Sequence, residues 1–122
     1  QENAALEALA RGPDGSLYTI PEEPLPGDSR FPVYRLRDGT WDIALRFGRV
    51  GSYLVSGADI GPDGLLYVLE RSFAGLGFRS RVRRFSLDGG DGETILETGT
   101  GALGNMEGIS VWQAADGLRI TL

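Results

Sequence analysis

Three carboxylates, Glu7, Asp59 and Glu107, lie within short apolar segments of the chain or at the entry to them. Carboxylates that share a small site repel one another, by roughly 4 kcal/mol per pair at about 4 Å and an effective dielectric constant near 20. A bound cation would relieve this repulsion. Because the chain contains neither histidine nor cysteine, hard oxygen ligands favour calcium or magnesium over zinc. The alternative is that these acids accept hydrogen bonds from the backbone of a neighbouring unit.

A second group of charged residues could hold an anion. Arg79 and Arg81 are two positions apart and therefore share one face of a strand. Such a pair is ordinary on a solvated outer strand, but a planar guanidinium can also donate to two oxygens of a phosphate. Glu22, Glu70 and Arg71 follow two apolar runs. They belong either to the same site or to a local ion-pair network.

The composition excludes several kinds of chemistry. Without histidine and cysteine, a Ser-His-Asp triad, a histidine base, a thiolate nucleophile and a disulfide are all impossible within these residues. Seventeen acidic residues oppose twelve basic ones, all arginine, and the net charge of -5 argues against general nucleic-acid binding. No apolar stretch approaches the roughly 20 residues that span a bilayer, and no signal peptide is visible. We therefore expect neither nucleic-acid nor membrane partners.

A sequence repeat indicates the secondary-structure elements that carry these residues. Gly12–Tyr18 and Gly61–Tyr67 share a Gly-Pro-Asp-Gly signature and lie 49 residues apart. Pro-Asp-Gly is turn chemistry, since proline sets one dihedral angle, aspartate caps the local backbone and glycine accepts a positive φ. A fixed period of this length is typical of an array of similar supersecondary units.

Each period is predicted to contain four short strands. Many glycines, alternating apolar residues and further Asp-Gly pairs favour short strands with tight turns. Four strands in 40 to 50 residues is the pattern of a β-propeller blade. We therefore predict an all-β fold, a propeller fragment of about two and a half four-stranded antiparallel blades, with units at 6–49, 54–100 and an incomplete 105–122. The predicted strands are 6–11, 17–22, 32–37, 40–47, 54–60, 65–71, 79–87, 93–98, 107–113 and 118–122.

Two and a half blades cannot close a ring. The chain is expected to be either a fragment of a longer one or a unit whose copies associate through their exposed blade faces. A small open β-sandwich or an open repeat stack is the alternative fold.

The blade pattern sorts the acidic residues between two faces of a disc. The first strand of a blade is innermost and starts at one face, while the turns between strands one and two and between strands three and four lie at the opposite face. Carboxylates at the first face are the candidates for a site, namely Glu7, Asp59, Glu107, Glu22 and Glu70. Those at the opposite face are assigned to turns, namely Asp14, Asp38, Asp63, Asp88 and Asp116.

Three blocks of the chain, in this order, resemble the phytase-like family, often labelled "esterase-like activity of phytase". The first runs from Glu7-Ala8-Leu9-Ala10 through Pro13-Asp14-Gly15 to Pro21-Glu22, the second from Ser56-Gly57-Ala58-Asp59 to Leu69-Glu70-Arg71, and the third is Asn105-Met106-Glu107-Gly108-Ile109-Ser110. That family is similar in pattern to six-bladed propellers and is mostly periplasmic or secreted in bacteria. In the family pattern an Asp-rich segment follows the third block, and this chain ends before it.

The resemblance implies a phosphoester or ester hydrolase that uses a divalent cation, Ca²⁺ above all, on a small anionic or ester substrate. It implies metal ligands at Glu7, Asp59, Asn105 and Glu107, a water-orienting role for Glu70 and a catalytic one for Glu107. Arg71, helped by Arg79 or Arg81, would hold the substrate. We expect these 122 residues to be inactive alone. A ligand- or protein-binding propeller without chemistry is the alternative function.

Overall fold

The computed structural model describes residues 6–74, 77–90, 92–98 and 108–122, which form ten antiparallel β-strands and no helix. No described segment is therefore a helix long and apolar enough to cross a membrane. The strands are β1 (Leu6–Arg11), β2 (Leu17–Pro21), β3 (Arg30–Arg37), β4 (Thr40–Gly48), β5 (Leu54–Ile60), β6 (Leu66–Ala74), β7 (Gly77–Phe85), β8 (Glu93–Glu97), β9 (Ser110–Ala114) and β10 (Gly117–Thr121).

The repeated signature forms the same turn twice. In Gly12–Tyr18 and in Gly61–Tyr67 the aspartate Oδ1 accepts a hydrogen bond from the backbone nitrogen two residues later, at 2.9 and 3.2 Å respectively. The glycine after the aspartate has φ of 88° in the first turn and 78° in the second. Only glycine adopts such angles without steric cost, so the backbone conformation of the turn requires the glycine of the signature.

The strands are arranged in three sheets that follow the chain. β1 to β4 form one four-stranded sheet, β5 to β8 a second one, and β9 pairs with β10. The first strand of each sheet lies beside the first strand of the next, because β1 contacts β5 and β5 contacts β9. This is the predicted order of blades, and the prediction of an all-β fold built from four-stranded antiparallel units is confirmed.

Two apolar clusters hold the sheets together. The first lies between the two four-stranded sheets and includes Ile20, Phe31, Phe47, Val68 and Phe85. The second lies on the other side of the second sheet, where Tyr67, Leu69 and Val82 meet Val111 of β9. Both faces of the second sheet are therefore buried. Its central strand β6 accordingly reads as a continuous apolar run instead of an alternating one.

The outermost sheets expose large apolar side chains. Leu9 and Trp41 on the first sheet are 67% and 55% exposed, and Trp112 on the last is 46% exposed. These are the faces through which association was expected, and that association stays a prediction.

The hairpin between β6 and β7 is longer than predicted. The sequence predicted strands at 65–71 and 79–87, which leaves residues 72–78 as a loop. The strands instead continue to pair through Phe73 with Phe78 and Ala74 with Gly77. The pairing of β6 with β7 thus extends beyond the predicted ends of both strands.

Candidate functional site

The first strands of both four-stranded sheets carry an irregularity at the same repeat position. The register of β1 against β2 shifts between Leu6 and Ala8, and that of β5 against β6 shifts between Val55 and Gly57. The residues within these bulges are Glu7 and Ser56, which lie 49 positions apart. Bulges are common next to active sites, because the extra residue re-aims a side chain. The backbone of Glu7 thus occupies a suitable position, while its side chain lies outside the described part of the structure.

Asp59 makes a contact between neighbouring sheets. Its Oδ2 accepts a hydrogen bond of 2.6 Å from the backbone nitrogen of Val111 in β9. The contact corresponds to the alternative given for Glu7, Asp59 and Glu107, in which a carboxylate accepts a hydrogen bond from the backbone of the next unit. The other two predicted metal ligands, Asn105 and Glu107, lie outside the described residues. Within the described ranges, no group of three or more acidic side chains is close enough to hold a metal ion.

Glu22 and Arg71 join the two four-stranded sheets at the edge where β5 begins. Arg71 Nη2 lies 3.7 Å from Glu22 Oε2, and both side chains are partly exposed. The backbone nitrogen of Val55 donates to the carbonyl oxygen of Glu22 at 3.2 Å. Arg71 is therefore held at this edge by an ion pair that solvent and a competing anion can reach.

Glu70 belongs to a different environment from its neighbour Arg71. It is fully buried and accepts hydrogen bonds from Arg81 Nε at 2.7 Å, Arg83 Nε at 2.9 Å and Arg83 Nη2 at 2.8 Å. Glu70 and Arg81 are directly opposite each other in the pairing of β6 with β7. Arg83 lies two residues further along β7, on the same face. Strand alternation thus separates Glu70 from Arg71 and joins it to the two arginines.

The two arginines bind the end of the first sheet. Arg81 Nη2 donates to the carbonyl oxygen of Val50 at 3.0 Å, and its guanidinium carbon lies 3.8 Å from the ring centroid of Tyr53. Arg83 Nη2 donates to the carbonyl oxygen of Gly48 at 2.9 Å. The connection from β4 to β5 is thereby fastened to the second sheet.

The predicted roles of Glu70 in catalysis and of Arg81 in substrate binding stay predictions, but burial and these contacts favour a structural role for both. Arg79, the third predicted substrate-binding arginine, is exposed on β7 opposite Ser72.

Arg83 was not singled out from the sequence, although a signal existed. Arg79, Arg81 and Arg83 alternate along one strand, and Glu70 stands on the strand before it. Antiparallel pairing of these strands around the hairpin tip places Arg81 opposite Glu70. A run of alternating arginines facing one glutamate therefore predicts a buried ion cluster, which a residue-by-residue search for ligands misses.

Comparison with known proteins identifies the family. The model of the phytase-like family, described as "esterase-like activity of phytase", matches residues 1–122, which is the whole sequence. No curated protein and no solved structure matches the chain significantly. Since the family model covers every residue considered above, this chain belongs to the phytase-like family.

Proposed function

We propose that this domain hydrolyses phosphoesters or carboxylic esters at the edge where β1 and β5 begin, in a site that contains a divalent cation. The observation that carries the proposal is the match of the phytase-like family model to the whole chain. The bulges at Glu7 and Ser56 support the location, because they mark an irregular backbone at the same end of two successive first strands.

The proposed ligands at this edge are oxygen donors from Glu7, Asn105 and Glu107. Asp59, the other predicted ligand, is the last residue but one of β5 and lies about 10 Å along the strand from the bulge at Ser56. Carboxylate and amide oxygens suit Ca²⁺, which takes six to eight of them at roughly 2.3 to 2.6 Å. Such an ion polarises the ester and lowers the pKa of a bound water. The ligand set as a whole therefore depends on the first and third blocks of the sequence.

Arg71 is the arginine best placed to hold an anionic substrate. Its side chain is 24% exposed, and its partner Glu22 is 3.7 Å away, longer than a close hydrogen-bonded ion pair. Arg81, by comparison, is 5% exposed and committed to Glu70. We therefore assign anion binding to Arg71. Arg79 shares the strand face of Arg81 and Glu70, opposite to that of Arg71. We assign Glu107 the role of orienting the attacking water.

The test is hydrolysis by the full-length natural protein on a phosphomonoester panel and a carboxylester panel, with Ca²⁺ and with a chelator. Turnover should require the metal and be lost in Glu107→Gln. Asp116→Asn is the matched control, because it removes one carboxylate charge in an exposed turn. Metal-independent turnover, or none on either panel, would contradict the proposal.

A binding domain without chemistry is the second candidate. It is favoured by one observation, that Asp59, the one predicted metal ligand whose side chain is described, is bonded to the backbone of the next sheet. In this case Glu107→Gln should leave ligand affinity and stability unchanged, and no substrate of either panel should be turned over. If Glu107→Gln instead abolishes turnover while affinity is retained, the hydrolase is supported.

A further inference from the structure

A cleft lies between the two four-stranded sheets, away from the edge described above. Its volume is about 490 Å³, and the outer strands β3 and β4 and the turn between β7 and β8 form its walls. Arginine and glycine dominate the lining, with two phenyl rings, while none of the described lining residues is acidic; the residues are Arg30, Arg46, Phe47, Gly48, Val50, Arg83, Phe85, Gly90 and Gly92.

Among the described residues, those around this cleft carry a charge opposite in sign to the net charge of the chain. The whole chain carries a net charge of -5. Arg83 and Arg81 share the single carboxylate of Glu70 beneath the cleft, so this buried cluster keeps one positive charge. At the rim, Arg30 and Arg46 stand near the carboxylate of Asp28. An excess of buried and rim arginine over carboxylate creates a local positive potential that attracts anions.

Arg83 still has hydrogen-bonding capacity. Its bonds to Glu70 and to the Gly48 carbonyl use Nε and Nη2. The two N–H groups of Nη1 have no partner among the described residues. The side chain is otherwise fixed, since its guanidinium carbon lies 5.2 and 5.1 Å from the ring centroids of Phe47 and Phe85. A preorganised guanidinium with free donors is an efficient anion ligand.

The rim arginines are partly committed but accessible. Arg30 Nε lies 3.6 Å from Asp28 Oδ1, and the Arg30 side chain is 56% exposed. The backbone N–H of Arg30 holds the pKa of Asp28 below its ordinary value, and the charges of Arg30 and Arg46 lower it further. Arg46 lies opposite Pro32 in the pairing of β3 with β4, and Arg30 is two residues before Pro32, so the two arginines are diagonal neighbours on one face of this strand pair. Their two positive charges exceed the single charge of the Asp28 carboxylate.

We propose that this cleft binds a phosphate group, either inorganic phosphate or a phosphate monoester, through Arg83 at its base and Arg30 and Arg46 at its rim. Gly48 and Gly90 leave space for the ligand to approach the backbone, since a Cβ atom at either position would meet nothing within 4 Å. The site is separate from the proposed hydrolytic edge, because it lies at the outer strand pair of the first sheet, while the proposed metal ligands lie on or before first strands.

The experiment is a titration of the isotopically labelled chain with inorganic phosphate, followed by amide chemical shifts, in the presence of a chelator. A second arm uses glycerol phosphate, and a third uses acetate at equal ionic strength. Saturable shifts are expected at Gly48 and Gly90. Loss of one charged hydrogen bond is expected to weaken phosphate binding about tenfold in Arg30→Gln and in Arg46→Gln.

Arg119→Gln is the matched control, because Arg119 is also exposed and paired with a single aspartate, but lies on β10. It should bind phosphate like the unmodified chain. The proposal is overturned if the shifts do not saturate, if acetate produces the same shifts, or if both rim variants bind with unchanged affinity. Saturable shifts confined to the start of β1 and β5 would place the anion at the hydrolytic edge and also overturn it. Stronger binding of glycerol phosphate than of phosphate identifies the monoester as the ligand.

Discussion

The Asp59 carboxylate and the Val111 backbone nitrogen are 2.6 Å apart although 52 residues separate them in sequence. This hydrogen bond links the first strand of the second sheet to the first strand of the third. Val111 is buried, so its N–H has little access to water. The bond therefore stabilises the arrangement of successive sheets, whether or not Asp59 also contacts a metal.

Replacing Asp59 should separate these two roles. Asp59→Ala leaves the buried N–H without an acceptor and should lower the free energy of unfolding by about 1 to 3 kcal/mol. Asp59→Asn keeps an oxygen acceptor and should cost less. Chemical denaturation measures both, with Asp88→Ala in an exposed turn as control. If Asp59→Asn instead abolishes Ca²⁺ binding at unchanged stability, the ligand role is the dominant one.

A single substitution in the buried cluster of Glu70, Arg81 and Arg83 is expected to lower the free energy of unfolding strongly. Glu70→Ala leaves two buried guanidinium groups without their carboxylate, and breaking a buried pair in this way costs about 3 to 5 kcal/mol. The control is Glu93→Ala, which removes the partner of Arg84 from an exposed pair and should cost less than about 1 kcal/mol.

A triple variant tests the electrostatic explanation of the Glu70 effect. Glu70→Leu with Arg81→Met and Arg83→Met replaces the charges by apolar groups and should recover much of the stability lost in Glu70→Ala. Equal losses in the single and triple variants, measured by denaturation, would show that the contacts to Gly48 and Val50 matter more than the ion pairs.

The turn residues made the positions of the strands predictable from the sequence. The partners of individual side chains could not be predicted in the same way, because they depend on the pairing register of the strands. The Gly-Pro-Asp-Gly signatures place β2 and β6 because the backbone of each turn is closed by its own residues. Glu70 was grouped with Arg71 and Glu22 because all three follow the apolar runs of equivalent second strands. In the structure Arg71 does pair with Glu22, but Glu70 faces the opposite side of the same strand.

The remaining part of the candidate site could not be derived in this way. Asp59 was recognised as a first-strand acid, but whether it binds a cation or the next sheet depends on how β9 docks, which is a contact between distant parts of the chain. The cleft between the sheets likewise exists only after packing, since Arg30 and Arg83 belong to different units. The sequence repeat predicts the individual four-stranded sheets, but the contacts between side chains of different sheets depend on how the sheets pack.

Gly92 is predicted to be intolerant of any side chain. A methyl group at this position would lie 2.2 Å from Cε1 of Phe85, whose buried ring is tilted against that of Phe47 with 4.5 Å between the ring centroids. Gly92→Ala should therefore destabilise the fold by about 1 to 3 kcal/mol through overpacking. Gly108→Ala is the matched control, because a methyl group there meets nothing within 4 Å. Equal thermal midpoints for the two variants would contradict this reading.

The hydroxyl group of Tyr67 is expected to make the stability of the fold depend on pH in the alkaline range. Burial raises the pKa of Tyr67 above its ordinary value of 10.0, and its hydrogen bond to Asp63 raises it further. The folded state therefore holds the phenolic proton more tightly than the unfolded state. This contribution is complete below pH 10.0 and is lost as the pH rises through the folded pKa.

Tyr67→Phe should accordingly show a smaller loss of stability above that pH than the unmodified chain, although it is less stable near neutrality because Asp63 loses its donor. Denaturation curves at a series of alkaline pH values measure the difference. Parallel pH profiles of the two proteins would assign the alkaline loss to other groups.

The repeated turn also has a consequence for how the chain folds. In each copy the carbonyl of the first glycine is bonded to an N–H three residues on, and its own N–H to a carbonyl four residues on. Closing so short a loop costs little chain entropy and is fast. Each four-stranded sheet thus has its own early nucleus. We expect high φ-values in both turns, with the docking of one sheet on the other following as a later and slower event.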